Sequence, residues 1–316
     1  MPEPVHISLV IPVFNESDTI VPLLETIRAQ TRQPDEIIFV DAGSTDDTVT
    51  LLHHKTAGDV RFVILEAGRA MPGTARNKGA AIATGNWIAF TDAGITLDPH
   101  WLENLLNAAL KDASVAIVYG NYRPRVNSFF EKCATITYVA PAFPGKIRGK
   151  FIASCLMRKA NWEKAGGFPN WRATEDLVFM EKAEQQGGSV QDTPEAMVEW
   201  TLRQSVISTW KRFDLYSKYN VWAGRQRYWH YGIARQYTGI FIITLLAASY
   251  SPWGWLLIPA WLLARVAKRC WIHRHTFGLA VLFNPFVVLT VLFLTLVIDS
   301  ATYSGWIKAL LNKQRD

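Results

Sequence analysis

Cysteine is scarce in this sequence. The 316 residues include three cysteines, Cys133, Cys155 and Cys270, far apart and with no CxxC pair. That pattern speaks against a disulfide framework or a zinc site and fits a reducing compartment. No basic stretch precedes the first apolar segment, so no signal peptide is expected. A charge excess is missing from the first 230 residues, where 25 Lys/Arg face 25 Asp/Glu. A nucleic-acid binder carries a basic stripe on its folded domain, so no nucleic-acid partner is expected. Charge of either sign is missing from two long segments, Tyr237–Ala264 and Thr276–Ile298.

Apolar residues make up 49% and charged residues 19%, enough to build a sizeable core. The first 120 residues alternate between two patterns. Continuous apolar runs at Ile7–Val13, Glu36–Val40, Arg61–Leu65, Trp87–Phe90 and Val115–Tyr119 read as buried strands. Between them, Ser17–Gln30, Ser44–His54, Pro72–Thr84 and Pro99–Leu110 read as helices. Ile20, Leu23, Leu24 and Ile27 share one face of the first, and Ser17 suits its N-cap. The third is rich in small residues, which permits close packing. Strands alternating with helices predict an α/β, Rossmann-like, mostly parallel sheet flanked by helices. Residues 121–200 mix a helix at Ser128–Val139, a strand at Phe151–Met157, a helix at Thr174–Gln186 and strand fragments. They read as the second half of the same domain, which is expected to span residues 1–204.

Residues 205–236 interleave aromatic and basic side chains and are expected to form an interfacial linker helix. A C-terminal membrane helical region is expected over residues 237–316. Its runs of 28 and 23 uncharged residues each exceed the roughly 20 needed to span a bilayer. Nine of the thirteen tryptophans lie from Trp200 onward, as an interfacial aromatic belt requires. Basic residues flank both runs, including Arg265, Lys268, Arg269, Arg274, Lys308, Lys313 and Arg315. Two simple spans would offend the positive-inside rule. The expected placement is therefore the cell membrane, multi-pass or re-entrant, with membrane lipids as partners.

In a doubly wound sheet, ligands bind beyond the carboxyl ends of the strands. Three polar clusters fall there: Asn15-Glu16, Asp41 and Asp92. Asp46 and Asp47 suit the plainer role of capping the next helix.

The segments Ser8–Glu16 (SLVIPVFNE), Asp41–Thr48 (DAGSTDDT), Gly73–Gly85 (GTARNKGAAIATG), Phe90–Leu102 (FTDAGITLDPHWL), Gly166–Phe168 and Glu175-Asp176 together resemble the family 2 glycosyltransferases of GT-A fold. The resemblance covers roughly residues 5–200, and the tail resembles that of membrane-bound bacterial members, in which the donor is used on the cytoplasmic face. It implies inverting transfer of a sugar from a nucleotide-sugar donor, UDP-linked in most of the family. The acceptor would be a lipid-linked or membrane-proximal lipid or glycan, as in polysaccharide or glycolipid biosynthesis of the cell envelope. It implies Pro12, Asn15, Glu16, Asp41, Arg76 and Asp92 around the donor, with Asp41 accepting from a base N–H. It implies Asp176 as general base, and Asp92 as the first acid of a DxD motif holding Mg²⁺ or Mn²⁺. Here the chain departs from the family, because Gly94 stands where the second acid belongs. Glu175 and Arg203 are expected on the acceptor or diphosphate side. Arg203 is not followed by the Arg-Trp pair of processive members, so processivity is not expected.

A sugar-phosphate nucleotidyltransferase would open with a glycine-rich loop, and Pro12–Glu16 has no glycine. The competing reading is a non-catalytic membrane module that binds nucleotide-sugar within an export or assembly complex. Gly94 is the feature that favours it.

Overall fold

A computed structural model describes residues 4–312. Met1–Glu3 and the C-terminal Lys313 and Arg315 lie outside the described residues. The strands are β1 (Ile7–Val13), β2 (Glu36–Asp41), β3 (Phe62–Glu66), β4 (Trp87–Phe90), β5 (Ile95–Leu97), β6 (Val115–Arg125), β7 (Cys155–Arg158) and β8 (Ser189–Thr201). The helices are α1 (Ile20–Arg28), α2 (Thr48–Thr56), α3 (Pro72–Ile82), α4 (Trp101–Ala109), α5 (Phe129–Tyr138), α6 (Lys159–Ala165), α7 (Glu175–Glu184), α8 (Val206–Trp222), α9 (His230–Tyr250), α10 (Leu257–Ile272), α11 (Arg274–Phe277) and α12 (Pro285–Leu311). They form two compact units, residues 1–125 with 143–201, and residues 126–142 with 202–316. The units divide after Thr201, and α5 groups with the second unit.

The first unit is a mixed α/β domain with an eight-stranded sheet in the order β3-β2-β1-β4-β7-β6-β8-β5. β1 pairs in parallel with β2 and β4, and β2 with β3. β7 enters antiparallel between β4 and β6, so the parallel run is interrupted there. β6 and β8 pair in parallel across two register shifts, and β5 pairs antiparallel with β8. The period-2 alternation of β1 feeds two cores. Ile7, Leu9, Ile11 and Val13 pack with α1 and α4 residues, whereas Val10 packs with Val40, Ala75 and Ala80. On α1, Ile20, Leu23, Leu24 and Ile27 are buried, each worth roughly 2 kcal/mol of apolar transfer. Its N-cap position is Thr19, not Ser17, because a turn closed by Glu16 carbonyl bonds to Thr19 and Ile20 delays the helix.

The second unit contains α5 and α8–α12. Side chains on α8 meet α12 in rising register. Trp210 donates to Ser300, Lys308 pairs with Asp214, and the Trp222 indole donates to the Ala309 carbonyl. The basic, aromatic α8 is thus packed along α12. The 28-residue apolar run does not form one span. Pro252 opens a 3₁₀ turn through Leu256 that separates α9 from α10. The chain then folds back, with Trp261 donating to Gln236. Asn284 caps α12, with Pro285 in its first turn, which breaks the second run. Consequently one described helix, Pro285–Leu311, is long and apolar enough to cross a membrane, which does not support the multi-pass form of the expected multi-pass or re-entrant placement. Inside the unit, Asp299 accepts from the Tyr237 hydroxyl and pairs with Arg265 at 2.9 Å.

Candidate active site

The parallel register brings the three clusters to one sheet edge. Val13 lies opposite Asp41, and the Thr91 amide bonds the Val10 carbonyl, so Asp92 follows directly. Val10 therefore turns its polar groups toward β4. Pro12, two residues on, turns the same way just past the last β4 partner, where its missing N–H breaks no ladder bond. Asn15 adopts φ 55°, its amide donates to Ser44, and its side-chain oxygen accepts from the Thr45 amide. The Glu16 amide donates to Thr48. Asn15 thus ties the β1 loop to the β2 loop. Asp41 is buried and accepts from the Gly43 and Ser44 amides, which fixes its carboxylate at the mouth. A carboxylate offers about four acceptor sites, so these bonds leave capacity for a base N–H.

The buried Arg76 of α3 joins two segments far apart in sequence. One guanidinium nitrogen meets Asp92 at 2.6 Å, and another meets Glu175 at 3.0 Å. Its face lies over Phe168, 5.5 Å from the ring centroid. Its Nε is buried without a hydrogen-bond partner. Beside Glu175, Asp176 accepts from the Leu177 amide at 2.8 Å. Both acids open α7, where the helix dipole favours negative charge. Thr174 ahead of them has φ 66°, and it and Asn15 are the non-glycine residues with positive φ among those described. Each such backbone costs roughly 1–2 kcal/mol, and the two flank one site.

Burial, and then the neighbouring Asp176 charge, push the Glu175 carboxyl up to about 7 against the opposing pull of Arg76. Burial also raises Asp176, which is opposed by Arg76 and reinforced by Asp92. Burial alone would favour neutral Arg76, but Asp92 and Glu175 outweigh it and hold the guanidinium charged. Three carboxyls around one guanidinium leave an acidic site with a carboxyl of raised basicity. Arg203 lies in the second unit, between β8 and α8, where its backbone bonds the Tyr138 hydroxyl.

Residues 8–157 match the model of the family described as "Glycosyl transferase family 2". These residues are a family 2 glycosyltransferase domain. An uncharacterized glycosyltransferase, YibD, of Escherichia coli is 33% identical over 106 residues, 34% of this chain and 31% of that protein. A poly-beta-1,6-N-acetyl-D-glucosamine synthase of Staphylococcus aureus is 26% identical over 216 residues, 65% of this chain and 52% of that protein. The chain thus spans about a third to a half of these curated relatives. Among solved structures, the mannosyltransferase PcManGT from Pyrobaculum calidifontis, in complex with GDP-Man and Mn²⁺, superposes with TM-score 0.60. It is 20% identical, covering 99% of this chain and 89% of that one. At that identity the likeness shows the GT-A fold.

Within the family 2 domain, sequence reasoning missed Asn77. Its side-chain oxygen accepts from the Phe168 amide and its amide donates to the Phe168 carbonyl, which clamps the Gly166–Phe168 loop under Arg76. Its place beside Arg76 in the quoted GTARNKG segment was the available signal. Gly73 was missed as a contact residue. A Cβ there would stand 2.5 Å from the Pro169 carbonyl oxygen and 3.1 Å from Glu175 Cγ.

The donors fit a hard divalent cation. Asp92 gives one oxygen to Arg76 and remains about one-third exposed. Among the described residues no group of three or more His, Cys, Asp or Glu is placed to hold a metal. Mg²⁺ sites typically use one or two carboxylates and complete their shell with water and substrate phosphate, which suits such a sparse set.

Proposed function

We propose that the chain is an inverting glycosyltransferase moving a sugar from a nucleoside diphosphate, UDP first, to a lipid-linked or membrane-proximal acceptor. The observation that carries this is Arg76 bridging Asp92, on the donor side, to the Glu175-Asp176 pair on the base side. Asp41 accepts from the base N–H, and Pro12, Asn15 and Glu16 line the mouth. The acceptor hydroxyl oxygen forms a bond to the anomeric carbon while the bond from that carbon to the phosphate oxygen breaks. The bonding pair departs with the nucleoside diphosphate. Asp176 takes the hydroxyl proton as the new bond forms, and its raised basicity suits that task. Arg76 holds Asp92 and Glu175 in place and keeps the carboxyls from repelling one another apart. Mg²⁺ or Mn²⁺ held at Asp92 would supply positive charge against the departing diphosphate. Glu175 is assigned to the acceptor or diphosphate side.

The first unit is proposed as the catalytic domain on the cytoplasmic face. The second unit is proposed as the membrane attachment, with α12 crossing and α9–α10 re-entrant. Support comes from Trp253, Phe283 and Phe286, which expose 78%, 82% and 73% of their surface. A re-entrant pair keeps Arg265, Lys268 and Arg269 on the cytoplasmic side. Resistance of the membrane-bound chain to alkaline extraction supports attachment, and its release contradicts it.

The test is transfer from UDP-sugars and GDP-sugars by the detergent-solubilised chain, with release of nucleoside diphosphate and product anomer as readouts. The expected product has inverted configuration, and Asp176→Asn retains donor binding while losing about 10²–10⁴ in turnover. Near-normal turnover by Asp176→Asn, or a retained anomer, refutes the assignment. Absence of both transfer and donor hydrolysis would favour the binding-module reading that Gly94 keeps in view.

A further inference from the structure

We propose that Glu16 takes the place of the acid missing at Gly94 and serves as the second carboxylate toward the divalent cation. The inference rests on the glycosyltransferase reading above. Gly94 lies two residues after Asp92 at φ +77°. A Cβ built on it meets a single neighbour within 4 Å, the Glu16 Oε2 at 3.7 Å. An acidic side chain at 94 would therefore start out toward the place where the Glu16 carboxylate already sits. Backbone geometry does not by itself dictate glycine, because Asp and Asn adopt positive φ several-fold more often than other residues.

Glu16 is also held in position. Its amide donates to Thr48, its carbonyl accepts from the Thr19 and Ile20 amides, and its Oε2 accepts from the Thr19 hydroxyl. A carboxylate so anchored loses little side-chain freedom on taking up a cation. Asp92 is oriented from the other side by Arg76. With diphosphate oxygens, the two acids match what Mg²⁺ and Mn²⁺ accept: one or two carboxylates, substrate phosphate and water.

The test is Mn²⁺ titration of the full-length solubilised chain in saturating UDP, followed by loss of the free Mn²⁺ electron paramagnetic resonance signal. GDP replaces UDP if UDP does not bind. Glu16→Gln is expected to weaken Mn²⁺ at least about tenfold. Glu16→Gln combined with Gly94→Asp is expected to regain most of that loss, a recovery that a merely structural Glu16 would not show. Thr19→Val removes the hydroxyl bond and keeps the acid, so Mn²⁺ affinity stays within about threefold of wild type. Unchanged affinity in Glu16→Gln, no recovery in the double variant, or an equal loss in Thr19→Val each overturns the proposal. A wild-type chain that binds UDP or GDP but no Mn²⁺ also overturns it, while the donor reading stands.

Discussion

Replacing Arg76 with methionine tests whether the buried guanidinium organises the site. Methionine keeps the chain length and a soft contact with Phe168 but removes the charge. Each ion pair supplies roughly 4 kcal/mol of gross attraction at an effective dielectric near 20. Loss of the positive charge over the Phe168 ring adds about 1 kcal/mol. Against this, the guanidinium no longer has to leave water, and its partnerless Nε, worth about 1–3 kcal/mol, disappears. Removing one member of a buried pair typically costs about 3–5 kcal/mol, because the partner charge is left behind. We therefore expect about 3–4 kcal/mol of destabilisation, a large part of a typical 5–15 kcal/mol. Urea unfolding in detergent, followed by tryptophan fluorescence, gives the value. Adding Glu175→Gln to Arg76→Met removes one stranded carboxylate and should restore at least about 1 kcal/mol. A loss below about 1 kcal/mol, or no restoration, would contradict this role for Arg76.

Glu175 also carries a pH signature. Its folded-state carboxyl is raised from 4.5 to about 7, so its stabilising contribution is complete below 4.5 and is lost as pH rises toward 7. The stability of Glu175→Gln relative to wild type should therefore increase between about pH 5 and 7 and then level off, as read from urea midpoints. A difference that shrinks as pH rises contradicts the sign. Gly73→Ala places a methyl 2.5 Å from the Pro169 carbonyl oxygen. It should cost about 1–3 kcal/mol by overpacking, and an unchanged midpoint would show that the loop gives way.

The strand ends were legible because buried parallel strands are uninterrupted apolar runs whose last polar residue marks the site edge. Asp41 and Asp92 fall at those ends in the fold. β5 escaped notice because three residues carry no usable period. β7 was visible as a strand but not as an antiparallel insertion, since direction leaves no mark in composition. Arg76 was legible as a site residue only through the resemblance. Nothing local to α3 announces a carboxylate 99 positions away. The apolar tail shows the reverse limit. Composition measured its length, but the fold-back depends on contacts such as Trp261 with Gln236.

The proposed function stands on a nucleoside diphosphate-sugar site at the β1, β2 and β4 ends of the first unit. Thermal unfolding of the solubilised chain with UDP, GDP and their sugars, each with and without Mn²⁺, tests it most directly. Ligand that binds the folded state alone contributes about 2.7 kcal/mol at one hundred times its Kd. A saturable rise in Tm is expected with one of these nucleotides, larger with Mn²⁺ present. No rise with any of them at millimolar concentration would contradict it.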